Sequence, residues 1–397
     1  MHETSIITSL FLVFSGAALI ATLALYAGQA LLVGYIVVGA LFGPHALDLV
    51  GEPELIGDIA NVGILFLLFL LGLNLEPRDL AGLFREAVTV TLVTSLAFAA
   101  VGMAIALGFG FSTGDAALIG ACMMFSSTII ALKLLPTSAL HHQRMGEVIV
   151  SVLLLQDMLA ILVLLLLEGL GRHQGGADGG GAALLSETLL LLAGLPALTL
   201  FAWFGATRVL TRLFVRFDQI PEYLFLVAIG WCLGTAQLAT VAGLSHEVGA
   251  FIAGVTLATS PVARYLAEAL KPLRDFFLVL FFFALGAGLD IAALPDILLP
   301  ATLLALASVA LKPVVFRLML ERSDEKARLA RETGARLGQI SEFSLLIVVV
   351  AGNLSLMSER ASTLVQSATL LSFVFSSWWI VRRYPTPIAP TQSLRRD

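Results

Sequence analysis

Ser151 to Leu167 reads SVLLLQDMLAILVLLLL, and between Glu147 and Glu168 the only ionisable residue is Asp157. As a helix, such a run crosses the roughly 30 Å hydrocarbon core of a bilayer, with Asp157 near its middle. An aspartate at that depth costs about 2.5–3.5 kcal/mol on insertion scales, so it has to face a cavity, a partner or a bound ion. A soluble core could bury one run of this kind, but the chain repeats the pattern along its length. Its residues are 58% hydrophobic and only 13% charged, against about 25% charged in soluble domains. The pattern predicts an all-α, polytopic membrane protein. Cys122 and Cys232 both lie in apolar runs and read as small core residues rather than a disulfide, redox or metal pair. The first run, Ile6 to Leu25, lacks a basic leading region and reads as a retained helix rather than a signal peptide.

About thirteen spans can be marked, at roughly 5–26, 29–47, 55–75, 85–109, 113–136, 145–170, 184–215, 222–237, 240–262, 273–290, 297–320, 334–354 and 360–381. The longest connection, GRHQGGADGGGAA after the sixth, reads as a flexible solvent loop. Lys and Arg set the direction. With the N-terminus outside and the C-terminus in the cytoplasm, only Arg172 and Arg360 face outward, while Lys133 and Lys312 lie within spans. The remaining basic residues, Arg336 among them, then fall on the cytoplasmic side.

The chain also matches itself. GYIVVGALFGP at Gly34–Pro44 resembles GAFIAGVTLATSP at Gly249–Pro261, with Gly39 on Gly254. LFLLGLNL at Leu68–Leu75 resembles FFALGAGLD at Phe282–Asp290, with Gly72, Leu73 and Asn74 on Gly288, Leu289 and Asp290. Both pairs are offset by about 215 residues, or seven spans, and an odd number of spans inverts the second copy in the membrane. Two inverted repeats are the mark of alternating-access transporters, whose site lies near the midplane where the halves meet. The same offset sets Phe125-Ser126-Ser127-Thr128 in span five opposite Ile340-Ser341-Glu342-Phe343 in span twelve. Such polar islands satisfy backbone groups where a helix unwinds, or coordinate a cation, although hydroxyls bonding back along an intact helix would read the same way.

Lys133, Asp157, Lys312 and Glu342 stand alone in otherwise charge-free stretches. Intramembrane carboxylates near the midplane mark ion or proton pathways, with a purely structural ion pair as the alternative for Asp157. Lys312, in LASVALKPVVF, is a counter-charge to Asp157, a partner for unwound helix ends, or a snorkelling residue. Glu342 either balances a helix end or lines the cation route. Lys133, near a span end, is read as snorkelling.

These residues carry a resemblance. GYIVVGALFGP, LLFLLGLNL, FSSTIIALKLL, the LLLQD of span six, GAFIAGVTLA, FFFALGAGLD, ALKP and GQISEF occur in one order from Gly34 to Phe343. In that order they resemble the membrane domain of Kef-type cation:proton antiporters, in the cation:proton antiporter 2 group. The resemblance implies a thirteen-helix fold of the sodium/proton antiporter type, usually a homodimer. It divides residues 1–383 into scaffold spans (5–75 and 222–290), core spans (85–170 and 297–381) and a linker helix (184–215). Spans five and twelve are then broken and cross near the ion site. Asp157 is the implied proton- or cation-binding residue. Gln156 takes the position that is a second acid or an asparagine in electrogenic relatives. Ser126, Ser127 and Thr128 lie on the first crossing segment, Gln339, Ser341 and Glu342 on the second, and Lys312 is the core lysine.

The chain departs from the family's pattern in two places. Kef proteins continue into a cytoplasmic nucleotide-binding domain, whereas residues 384–397 form only a short tail, so regulation by glutathione or nucleotide is not carried over; a separate regulatory subunit is an alternative. Asn74 stands where the family often has a glutamate. One titrating acid beside a neutral Gln156 predicts electroneutral exchange of one proton per monovalent cation, K+ or Na+, in the inner membrane of a bacterium. No cofactor, nucleic acid or metal beyond the transported cation is called for. The competing reading is a channel-like or sensor module that lost its regulatory domain. An intramembrane aspartyl protease needs two embedded aspartates, and only Asp157 sits in mid-span.

Overall fold

The computed structural model describes residues 6–50, 53–73, 77–136, 144–175, 194–242, 244–289, 294–387 and 389. The described residues are predominantly helical. In order the chain runs α1 (Ile6–Tyr26), α2 (Leu31–Phe42), α3 (Pro53–Leu73), α4 (Pro77–Gly108), α5 (Thr113–Met123), α6 (Thr128–Lys133) and α7 (Arg144–Gly175). It continues with α8 (Gly194–Arg216), α9 (Pro221–Val241), α10 (His246–Leu257), α11 (Ala263–Ala287) and α12 (Leu294–Arg322). Last come α13 (Ala327–Arg336), α14 (Glu342–Asn353) and α15 (Glu359–Arg383).

Nine helices among the described residues are long and apolar enough to cross a membrane. Their outward surface is what a bilayer requires. Leu19, Leu96, Leu166, Leu200, Leu226 and Leu299 are each more than half exposed, a cost that water would impose and hydrocarbon does not. The protein is a multi-pass membrane protein.

Helix ends correct several expected boundaries. Segments 29–47 and 240–262 hold only the twelve-residue helices α2 and α10, about 18 Å long at 1.5 Å per residue. The apolar stretch therefore outruns the helix at both places. Spans twelve and five are interrupted, as the resemblance implied: α13 ends at Arg336 and α14 begins at Glu342 within 334–354, and 113–136 is divided between α5 and α6. Asn74 and Asp290 lie outside the described residues.

The chain divides into two compact units. The first comprises residues 1–53, 83–167 and 282–397. In it α12 packs along α13 and α15, while α14 and α15 both meet α5. The second comprises residues 54–82 and 168–281, where α9 packs on α10 around a core that includes Phe66, Phe69, Phe214 and Leu257.

Three of the glycines matched in the sequence, Gly39, Gly72 and Gly254, are points of close backbone contact, as is Gly286, whereas Gly288 has nothing nearer than the Ala284 carbonyl at 3.5 Å. In the first unit a Cβ on Gly39 would overlap the Phe283 carbonyl, and one on Gly286 would overlap the Ile36 carbonyl. In the second unit Gly72 meets the Phe251 carbonyl, and Gly254 meets the Phe69 carbonyl. Only glycine lets two helices approach this closely, which is how small residues tighten helix pairs in membranes. The neighbouring atom is backbone, so the clash cannot be relieved by a rotamer change. Gly39→Leu should therefore cost about 3 kcal/mol, the upper end for overpacking. Gly230 has no neighbour within 4 Å of an added Cβ, so Gly230→Ala should stay within about 1 kcal/mol of the parent. Thermal unfolding of the detergent-solubilised protein distinguishes the two.

Candidate ion site

The site is built where two helices stop in mid-bundle. α5 starts on Ser112, whose Oγ accepts from the Asp115 N–H, and ends at Met123. Four residues later Ser127 caps α6, its Oγ accepting from the Ile130 N–H at 3.2 Å. In the second segment Ser341 caps α14, its Oγ accepting from the Phe343 N–H at 3.1 Å. Serine at an N-cap replaces an intrahelical partner that the preceding residue cannot supply. The hydroxyls of Ser127 and Ser341 thus act as helix N-caps.

The backbone between these helices is satisfied by side chains. Gln156 bridges the first break: its Oε1 accepts from the Ser126 N–H at 2.9 Å, and its Nε2 donates to the Met124 carbonyl at 3.2 Å. The Ser126 hydroxyl donates to the Leu337 carbonyl at 2.8 Å, and Gln339 Nε2 donates to the Ser127 carbonyl at 3.3 Å. These two bonds tie each break to the other. Lys312 completes the arrangement. Fully buried, its Nζ donates to the Phe125 carbonyl at 2.6 Å and to the Gln339 carbonyl at 3.1 Å, 5.3 Å from the centre of the Phe98 ring. Of the readings open for Lys312, the structure selects the partner for unwound helix ends. Lys312 makes no ion pair with Asp157 among the described residues, and it does not snorkel. The side chain of Lys133 lies outside the described residues.

Asp157 lies one residue from Gln156 on α7 and is only 3% exposed. Among the described residues its one hydrogen-bond partner is the Thr128 hydroxyl, which donates across 3.4 Å and 3.5 Å to the two carboxylate oxygens. That is a long contact for a carboxylate. Glu342 is near enough for its charge to act on Asp157. Its Oε1 accepts from the Ile129 N–H at 3.2 Å, while its buried Oε2 has no hydrogen-bond partner among the described residues. The first turns of α6 and α14 both present N–H groups here, and a helix N-terminus favours negative charge. The two carboxylates together hold more acceptor capacity than the protein fills.

Sequence reasoning missed several residues of this framework. Ser308 donates to the Gly338 carbonyl at 2.8 Å, Ser372 accepts from the Ile340 N–H at 3.0 Å, and Ser376 donates to Gln339 Oε1 at 3.0 Å. Ser344 donates to the Cys122 carbonyl at 2.6 Å, joining α14 to α5. Arg336, expected at a cytoplasmic surface, is fully buried. It donates to the Leu134 carbonyl past the end of α6 and to the Pro385 carbonyl, both at 2.8 Å, and pairs with Glu332. Its place just ahead of GQISEF was the one available signal.

Residues 11–382 match the model of the sodium/hydrogen exchanger transmembrane family. The chain belongs to that family. It is 32% identical over 343 residues to the glutathione-regulated potassium-efflux system protein KefC of Klebsiella pneumoniae, covering 85% of this chain and 54% of the relative. It is 30% identical over 355 residues to K(+) efflux antiporter 5 of Arabidopsis thaliana, covering 87% and 61%. It is 29% identical over 357 residues to the iron transporter MagA of Paramagnetospirillum magneticum, covering 89% and 80%. The chain thus spans little more than half the length of the potassium-efflux relatives. Among solved structures, the sodium proton antiporter MjNhaP1 of Methanocaldococcus jannaschii superimposes with a TM-score of 0.70 at 17% identity, covering 94% of this chain and 96% of that one. The fold is that of the antiporters.

Removing the amide that spans the first break should be more damaging than removing the charge beside it. Gln156→Leu leaves the Ser126 N–H and the Met124 carbonyl without partners, at about 1–3 kcal/mol for each group. Asp157→Asn keeps an acceptor for Thr128 and should stay within about 1 kcal/mol of the parent. Equal losses in thermal unfolding would contradict the division of roles between these neighbours.

Proposed function

We propose that this protein exchanges a monovalent cation for a proton by alternating access, with Asp157 as the shared binding group. The observation that carries the proposal is the contrast in hydrogen bonding around the two breaks. The amide, ammonium and hydroxyl groups of Gln156, Lys312, Ser126 and Ser341 have backbone partners, whereas Asp157 has, among the described residues, only the distant Thr128 hydroxyl. A buried carboxylate left in this condition needs a ligand of its own, and a proton or a cation can serve. Either ligand neutralises it, and the loaded site can then cross the low-dielectric barrier. The empty, charged form crosses poorly, which makes transport an exchange.

Glu342 is anchored by the Ile129 N–H and the helix ends, so it shapes the site while Asp157 trades ligands. With Gln156 neutral and Lys312 held by two carbonyls throughout the cycle, one proton moves for each cation and exchange is electroneutral. Potassium is favoured over sodium because the relatives include proteins named as potassium-efflux systems. Iron is disfavoured by donor chemistry. Imidazole ligands suit iron and its neighbours among the transition ions, and among the described residues no group of three or more His, Cys, Asp and Glu side chains converges. The same reading places the protein in a bacterial inner membrane as a homodimer. Its N-terminus is outside, the core comprises residues 85–170 and 297–381, and the scaffold comprises residues 5–75 and 222–290.

Purified protein in proteoliposomes with an imposed proton gradient and a pH-sensitive dye tests the reading. Potassium, sodium, lithium, rubidium and ferrous iron are added in turn. The expected result is cation-driven proton movement without current, strongest with potassium. Asp157→Asn should abolish it, and Glu342→Gln should weaken it without abolishing it. Undiminished exchange by Asp157→Asn would overturn the mechanism, and a current reversing with membrane potential would identify a channel instead.

A further inference from the structure

A cavity of about 580 Å3 lies on the outer side of α12, between it, α13 and α15. Its volume falls within the range of small-molecule sites. The walls are of two kinds. Leu306, Val314 and Phe375 make an apolar groove, and Trp378 and Trp379 stand beside it. Leu306, Val314 and both tryptophans are roughly half exposed, so the groove opens toward the hydrocarbon rather than into the protein. At its other end the cavity is edged by Arg317, Arg331, Arg383 and Tyr384.

The charges do not cancel there. Arg317 is paired with Glu321 at 2.7 Å, and Glu332 is taken by Arg336 at 2.7 Å. Arg382 stacks over the ring of Trp378, 4.4 Å from its centre, and is not among the residues that line the cavity. Arg331 and Arg383 have no acidic partner among the described residues, yet both lie close enough to act on the Tyr384 hydroxyl. Two uncompensated guanidinium groups therefore converge at one end of a greasy groove, level with the Trp and Tyr residues that mark a membrane–water interface.

We propose that this cavity binds an anionic phospholipid, with its phosphate between Arg331 and Arg383 and an acyl chain along the α12–α15 groove. A free phosphate would use the arginines but leave the apolar walls empty. A zwitterionic lipid would fill the walls but bring its own cation to the arginines. Basic pockets between transmembrane helices select anionic headgroups for this reason. The site also touches the ion-site framework. Pro313 lines the cavity, Lys312 precedes it in the chain, and an added Cβ on Gly334 would lie 2.6 Å from the Pro313 carbonyl. A bound lipid braces α13 against α12 beside the second break.

Native mass spectrometry of the full chain, delipidated in detergent and titrated with phosphatidylglycerol or phosphatidylcholine, tests this independently of transport. Phosphatidylglycerol should be retained over phosphatidylcholine by roughly 30-fold, about fivefold for each arginine. The preference should vanish in the doubly substituted Arg331→Gln, Arg383→Gln protein. Val314→Trp, which fills the groove from its exposed side and leaves both arginines in place, should also abolish retention. Phosphatidylglycerol, but not inorganic phosphate, should raise the unfolding temperature. Equal retention of the two lipids, unchanged retention by either variant, equal stabilisation by inorganic phosphate, or occupation of the groove by a second copy of the chain would overturn the proposal.

Discussion

Backbone groups left unpaired inside a bilayer cost several kcal/mol each, because no water is present to take them. This protein interrupts two helices inside the bundle, and the arrangement of the first unit follows from satisfying what those interruptions expose. Met124, Phe125, Ser126 and Ser127 on one side, and Leu337, Gly338, Gln339 and Ile340 on the other, each have a side chain assigned to a backbone group. Lys312 joins the two sets, since one ammonium serves a carbonyl from each. The breaks therefore stand or fall together, with α7, α12 and α15 as the neighbouring helices that supply partners.

Function follows from the group that this scheme leaves over. Gln156 and Asp157 are neighbours on one helix, yet the first is committed to structure and the second is nearly free. The amide holds the backbone open, and the carboxylate occupies the space that results. Glu342 adds a second acid, one of whose oxygens is anchored while the other has no partner among the described residues. On the proposed mechanism, an entering cation would meet oxygen donors and negative charge without displacing a lysine, because Lys312 is spent on carbonyls.

Much of this was legible from residue types alone. Asp157 stood out because charge at mid-span is costly, and the islands at Ser126 and Ser341 stood out because their spacing repeats. Gly39 and Gly254 were visible for the same reason, and their physical role is close backbone approach. The supporting hydroxyls of Ser308, Ser372 and Ser376 were not legible. A serine in a transmembrane helix usually bonds back to its own helix, and sequence does not show which one faces a break. Arg336 was misread because an arginine near a span end normally reaches the interface; here α13 ends inside the bundle and the guanidinium caps the chain beyond α6. The short helices α2 and α10 were overestimated because apolar residues continue past the last hydrogen-bonded turn.

The central claim is that one carboxylate serves proton and cation in turn. The most direct measurement is the half-saturating cation concentration for exchange in proteoliposomes across a series of pH values. Competition at Asp157 predicts that, on the acid side of its titration, this concentration rises about tenfold for each unit of falling pH while the maximum rate is unchanged. A constant half-saturation with a falling maximum rate would place the proton and the cation on different groups and contradict the account.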